Sequence, residues 1–257
     1  MKALIKIGGT LLDDAGSRND LARQIAQLAA QGLEVTVVHG GGKQMTRFLE
    51  DRGIRSTFVR GLRVTTDETI DAVTKVLAGS VNTQLVGALS KAGARAVGLT
   101  GMDSGLACAD QLDPELGYVG RVVSSDSRLL NTLTTAGYIP VVACVAGGEG
   151  GQVFNVNGDS MAVAVASNWN VDRLVFLTDV PGVLDSAKNR ISVLTAAACK
   201  QLIADGIATG GMQAKLTAAS DAVSCGVKEV CIVRGSDSDI VTRVFVGEET
   251  GTRVIQK

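Results

Sequence analysis

The sequence predicts an α/β protein, an open three-layer αβα sandwich in which helices cover both faces of a mainly parallel sheet. Two observations carry that expectation. Short apolar, β-branched runs alternate with longer stretches whose apolar residues recur at three and four. Several of those stretches also stop on glycine, the residue favoured just past a helix C-terminus. In sheets of this kind ligands gather beyond the carboxyl ends of the strands.

The elements follow in order. "ALIKI" (3–7) is the first strand, ending in Gly8-Gly9 and leading to the helix "NDLARQIAQLAAQG" (19–32). The strand "EVTVVH" (34–39) runs through Gly40-Gly41-Gly42 into the helix "KQMTRFLEDRG" (43–53). Residues 54–65 read as a hairpin, and "DETIDAVTKVLAGSVNTQLVGALSKAG" (67–93) as one long helix. "ARAVGLT" (94–100) is a strand. Residues 105–123 read as a second hairpin turning near Asp113 and Pro114. Excursions of this sort form lids or walls over sites in α/β proteins. The helix "SRLLNTLTTAG" (127–137), the strand "IPVVACV" (139–145) and the helix "DSMAVAVASNW" (159–169) follow. A fresh strand-helix series begins near 170 with "RLVFLT" (173–178), "GMQAKLTAASDAVSCG" (211–226) and "EVCIV" (229–233). The chain therefore reads as a single domain, 1–257, divisible into lobes 1–170 and 171–257.

Composition narrows the function. Lys plus Arg is 25 against 26 for Asp plus Glu, so charge gives no sign of a nucleic-acid partner. No run approaches the ~18 to 20 apolar residues of a membrane span, and the first residues lack the pattern of a secretory signal. The expected partner is a small molecule and the expected location cytoplasmic. The five cysteines are odd in number, form no C-x-x-C pair and read as reduced core thiols.

Four groups of residues suggest anion chemistry. Lys6 brings a cation to the lip of the first strand, where Gly8 and Gly9 leave backbone N–H groups accessible; a lysine snorkelling from an edge strand beside a simple turn would look the same. The triplet 40–42 lies between a strand and a helix, so it aims free N–H groups and the positive helix end at one point, or serves as a tight connection. It is not a Walker A loop, because Val37 and Gln44 stand where glycine and Ser/Thr are needed. "FNVNGDS" places Asn155, Asn157 and Asp159 at a helix entry, where capping needs only one of them. Lys215 lies near the start of its helix, where a cation opposes the dipole, which leaves a ligand or solvent as its partner. His39, the only histidine, reads as a residue that orients the glycine turn or packs at the strand end rather than a general base.

In this order, "IKIGGTLL", "VVHGGGKQM", "GLRVT", "NVNGD", "LTDVPGVLD", "GGMQAKLTAA" and "GTRVI" resemble the amino acid kinase superfamily, most closely its N-acetylglutamate kinase branch. The resemblance runs nearly end to end. It implies that the terminal phosphoryl group of ATP, carried with Mg²⁺, passes to the side-chain carboxylate of N-acetyl-L-glutamate in arginine biosynthesis. Lys6 and Lys215 would flank the moving group, Lys6 toward the transferred oxygens and Lys215 toward the leaving β-phosphate, with Asp159 holding both. Gly8, Gly9, Gly41 and Gly42 would cradle phosphate. Gly41, Gly42, Arg63 and Asn155 would bind the acceptor, with Arg60 a rival for the α-carboxylate. The loop Asp179, Val180, Pro181, Gly182, Val183 and Leu184, with Ile207, Ala208, Thr209 and Gly211, would bind ATP. No protein metal site is implied.

By the same resemblance the N-terminal lobe would bind acceptor and dimerise, through the helix at 67–91, and the C-terminal lobe would bind ATP. Lys6 lies too near the start for the extra N-terminal helix of arginine-inhibited members, which implies a homodimer without arginine feedback. Two departures stand out: Gly158 where alanine is usual, and Lys43 where many members have proline. The alternatives are a kinase for an aminoadipate derivative of lysine biosynthesis, one methylene longer, and a nucleotide-binding sensor that has lost catalysis.

Overall fold

A computed structural model describes residues 1–256. The first half contains β1 (Lys2–Ile7), α1 (Gly9–Asp13), α2 (Ala15–Ala30), β2 (Glu34–His39), α3 (Gly42–Glu50) and the hairpin β3 (Phe58–Val59) and β4 (Leu62–Arg63). A long helical rod follows: α4 (Asp67–Val73), a π-wound segment Thr74–Val81, and α5 (Asn82–Lys91). Next come β5 (Ala96–Thr100), β6 (Ala107–Gln111), β7 (Val119–Ser125), α6 (Arg128–Thr135), β8 (Ile139–Ala143), β9 (Val145–Gly147), β10 (Val153–Val156) and α7 (Gly158–Trp169). The remainder is β11 (Arg173–Thr178), β12 (Val193–Thr195), α8 (Ala196–Ala204), α9 (Gly210–Ser224), β13 (Glu229–Arg234), α10 (Ile240–Phe245) and β14 (Thr252–Ile255).

Eight strands form one sheet in the order β12-β14-β13-β11-β1-β2-β8-β5, parallel except for the antiparallel pair β13 and β14. The six strands read from sequence are its six contiguous parallel members, β13 to the terminal β5. Helices cover both faces. Ile5, Ile7, Val35 and Val37 pack against Leu21 and Ile25 of α2 and Leu85 and Leu89 of α5. Leu4, Val38, Leu174 and Phe176 pack on the other face against Met161, Val165 and Trp169 of α7 and Leu216 of α9. Burial on both faces explains why these strands are continuous apolar runs rather than alternating ones.

β1 lies between β2 and β11. The chain leaves β1 toward β2 on one side and later returns to β11 on the other, so the carboxyl end of β1 is a topological switch point, the place where such sheets bind ligands. Asn170, at φ 53°, closes α7 just before β11, and the sheet runs uninterrupted past this position.

Both hairpins form. The β3–β4 loop is Arg60-Gly61, with φ of 50° and 79°, the mirror-image turn that suits two-residue hairpins. Its base is tied to the second hairpin: Thr65 N–H donates to Leu116 C=O at 2.9 Å and Tyr118 N–H to Thr65 C=O at 2.8 Å. β6 and β7 join β9 and β10 in a small closed four-stranded unit.

Three features depart from the sequence expectation. "IPVVACV" is not one strand: the sheet strand stops at Ala143, and Cys144 turns its Sγ toward His39 C=O at 3.0 Å while β9 enters the small barrel. β10, β12, β14, α1 and α10 went unread, because strands of three and four residues and helices of five and six are too short for periodicity to show, and the nine-residue α8 went unread with them. Cys144, Cys199 and Cys231 are buried as expected, but Cys108 and Cys225 lie at the surface.

Candidate active site

Side chains alternate along β1, so Lys6 shares a face with Leu4 and rises beneath α7. Its Nζ meets Asp159 Oδ1 at 2.7 Å, and Lys215 Nζ, one helix away on α9, lies 3.5 Å from Asp159 Oδ2. These side chains are 10% to 20% exposed. Burial disfavours the charged carboxyl, but the two ammonium groups outweigh it and hold Asp159 below the usual carboxylate range.

The helix entry divides the labour that the sequence left open. Asn157 is the cap: its Oδ1 accepts from the N–H groups of Asp159 at 2.9 Å and Ser160 at 3.2 Å. Asp159, relieved of capping, faces the lysines. A Cβ on Gly158 would stand 3.1 Å from Lys6 Cε, so the glycine gives that side chain slack which an alanine would remove.

The two glycine turns meet backbone to backbone. A Cβ on Gly9 would lie 2.7 Å from Gly42 N, and one on Gly41 would lie 2.5 Å from Leu77 Cδ2 of the π-wound segment. Only glycine permits this approach. Beside the turns is a cavity of about 170 Å³ lined by Gly40, Gly41, Gly42, Arg63, Asn155, Asn157, Gly158 and Cys144, with apolar walls from Met45, Leu62, Leu77 and Val156. Arg63 is held in place: its guanidinium donates to Thr46 Oγ1 at 2.8 Å, Gly42 C=O at 3.2 Å and Ser56 Oγ, and lies over the Phe58 ring. Asn155 Nδ2 donates to Thr65 Oγ1 at 3.1 Å. Arg60, the rival, turns away to pair with Asp113 at 3.0 Å and Glu115 at 3.5 Å across the hairpins.

A larger cleft of about 1020 Å³ contains Asp159 and Lys215 together with Gly210 and Gly211, and β7 forms one wall through Val119, Gly120, Arg121 and Val122. The loop Asp179, Val180, Pro181, Gly182, Val183 and Leu184 does not line this cleft. It caps the carboxyl ends of the strands beyond: Thr178 Oγ1 donates to Val180 C=O at 2.9 Å, and Val183 N–H donates to Thr252 Oγ1 at 2.8 Å. Ile207 and Ala208 N–H groups both donate to Leu202 C=O at 3.0 Å, setting Thr209 and Gly211 at the uncapped start of α9.

His39 is fully buried, its Nδ1 2.9 Å from Gly40 C=O and its Nε2 3.0 Å from Asn82 Nδ2. Burial lowers its pKa to about 4, so it is neutral and wholly engaged in shaping the turn. Ser56, Thr46, Asn82 and Cys144 were not singled out in the sequence. Thr46 alone had a local signal, lying four residues past Gly42 on one helix face.

A mainly parallel sheet with two glycine turns, two lysines and one carboxylate at its switch point defines a phosphate-handling α/β protein. The chain belongs to the amino acid kinase family, whose model matches residues 1–234. It is 60% identical over 255 residues to the acetylglutamate kinase of Solibacter usitatus, covering 99% of both chains. It is 39% identical to that of Agrobacterium fabrum, over 98% of this chain and 90% of the other. Among solved structures, a protein of Streptococcus mutans UA159 superposes with a TM-score of 0.85 at 27% identity, covering 100% of this chain and 99% of that one. The Giardia lamblia carbamate kinase bound to AMP-PNP has the same fold, with a TM-score of 0.75 at 18% identity, covering 100% and 98%.

Proposed function

We propose that this protein transfers the terminal phosphoryl group of ATP to the side-chain carboxylate of N-acetyl-L-glutamate, giving N-acetyl-L-glutamyl 5-phosphate and ADP, in arginine biosynthesis. The observation that carries the reading is the Lys6–Asp159–Lys215 group beside a cavity whose lining includes the guanidinium of Arg63 and the amide of Asn155. The relatives' activity supports it.

The acceptor carboxylate is already a nucleophile, so no general base is required, in keeping with a neutral, buried His39. A carboxylate oxygen attacks the γ-phosphorus while the bond to the β,γ-bridging oxygen breaks and ADP takes the electron pair. Catalysis is then positioning and charge stabilisation. Lys6 neutralises the transferred oxygens and Lys215 the leaving β-phosphate side, each aimed by Asp159. Backbone N–H groups of Gly8, Gly9, Gly41 and Gly42 supply fixed dipoles. Arg63, preset by Thr46 and Ser56, receives the α-carboxylate, and Asn155 adds an amide donor. The loop 179–184 and residues 207–211 receive the nucleotide.

Mg²⁺ would travel with ATP and supply charge neutralisation at the phosphates. Among the described residues no group of three or more His, Cys, Asp or Glu side chains is placed to hold a metal ion. The reading includes lobes divided near 170, a cytoplasmic location without nucleic-acid or membrane partners, and a homodimer through the rod at 67–91, which lies beside the sheet's terminal strand β5. No helix among the described residues is long and apolar enough to cross a membrane.

The test is hydroxamate formation from hydroxylamine, ATP and Mg²⁺ with N-acetyl-L-glutamate, N-acetyl-aminoadipate or glutamate as acceptor. Signal with N-acetyl-L-glutamate alone is the expected result. Signal only with the longer acid, or silence with all three despite ATP binding, overturns the reading.

A further inference from the structure

We propose that Arg234 is a further nucleotide-binding residue, its guanidinium donating to phosphate oxygens of the bound nucleotide; this rests on the placement of ATP over the carboxyl edge of the sheet given above. Arg234 is the last residue of β13 and stands in register with Thr178, the last residue of β11, from which the loop 179–184 departs. That loop arches over the tip of β13. Thr178 Oγ1 reaches Val233 C=O at 3.2 Å on one side, and on the other Val183 N–H reaches Thr252 Oγ1 on β14 at 2.8 Å.

Strand alternation fixes the face. Val230 and Ile232 pack with Phe176, Ala208 and Leu216, whereas Cys231 and Val233 pack on the opposite side of the sheet. Arg234 therefore shares the face of Lys6 and of Ala208, at the strand tip that the loop 179–184 crosses.

Its polar groups are left open. Arg234 is half-buried, and its Nε is shielded from solvent with no hydrogen-bond partner. Arg253 donates to Glu229 at 2.8 Å, and Arg173, whose Nε is likewise shielded without a hydrogen bond, has the same carboxylate 3.0 Å away; among the described residues Arg234 has no such acidic partner. A shielded donor without a partner is costly, and a planar guanidinium matches two phosphate oxygens at once. A nucleotide seated on this edge supplies the missing acceptors.

The experiment compares wild type, Arg234→Gln and Arg234→Lys by steady-state kinetics, and by calorimetric binding of MgADP and of adenosine. In Arg234→Gln the KM for MgATP and the Kd for MgADP are expected to rise roughly tenfold or more, the scale of a lost charge-assisted hydrogen bond. The KM for N-acetyl-L-glutamate, kcat at saturating ATP and adenosine binding should stay within about twofold, and Arg234→Lys should recover part of the loss. Unchanged MgADP binding in Arg234→Gln overturns the assignment. So does an equal weakening of MgADP and adenosine, or a loss of thermal stability with both KM values rising together. Wild-type protein that binds MgADP but makes no hydroxamate would overturn the acceptor and the reaction, and the MgADP comparison would still decide Arg234.

Discussion

Asp159 is a single carboxylate between two ammonium groups in a mostly desolvated setting. A buried ion group of this kind adds little to stability compared with apolar residues, so its presence is best accounted for by catalysis. Lys6→Ala and Lys215→Ala should each lower kcat by about 10² to 10³, as removal of other preorganised electrostatic groups does, measured by coupled ADP release. Asp159→Asn should lower both kcat and thermal stability, because it leaves two cations facing each other without their counter-charge. The carboxyl is held below its usual range, so its stabilising contribution is present above about pH 3.8 and is lost as pH falls further. His39 acts earlier on the pH scale. Its pKa is about 4 in the fold against 6.5 for the unperturbed group, so unfolding takes up a proton as pH falls through that window. Stability should decline between pH 6.5 and 4 by roughly 3 kcal/mol from this group. Urea titrations at stepped pH should show a shallower decline in His39→Gln, and an equal slope in both proteins would remove His39 as the cause.

At the scale of elements, the site depends on two strand-to-helix turns that touch through glycine. Gly41 has no room for a side chain beside Leu77 and Val81, whereas nothing lies within 4 Å of a Cβ built on Gly40, whose φ is not positive. Gly41→Ala should therefore cost about 1 to 3 kcal/mol by overpacking the π-wound segment. Gly40→Ala should change stability by less than about 0.5 kcal/mol. Chemical denaturation of the pair tests this directly, and comparable losses in both would mean that backbone freedom rather than close packing sets the requirement. The sequence marked both turns as anion sites or connections. It could not say that they meet, because Gly9 and Gly42 are brought together only when β1 and β2 lie side by side. The π-wound segment was equally invisible, since its apolar spacing satisfies an ordinary helix. Only Leu77 and Val81, closing over Gly41, explain what its wider turn accommodates.

For the whole molecule, the proposed reaction requires ATP carried with a divalent ion, and the family resemblance implies a pair of chains. Chelation of Mg²⁺ should abolish turnover and its re-addition restore it, and sedimentation velocity should give twice the chain mass. A monomer with full activity would separate the dimer from catalysis. The sequence by itself determined the fold class, because strands covered on both faces must be continuously apolar and helices covered on one face must be periodic. These patterns are local, and they placed six of the eight sheet strands and every helix of ten residues or more. The ordered strings around Lys6, Gly40, Arg63, Asp159 and Lys215 likewise carried the family resemblance from which the reaction is proposed. Only the tertiary structure decided which of three candidate side chains caps α7, that Arg63 rather than Arg60 lines the cavity beside the glycine turns, and that Arg234 ends β13 with a shielded donor that has no partner. Those outcomes turn on which groups from distant parts of the chain become neighbours, and strand register sets that, not the spacing of residues along the sequence.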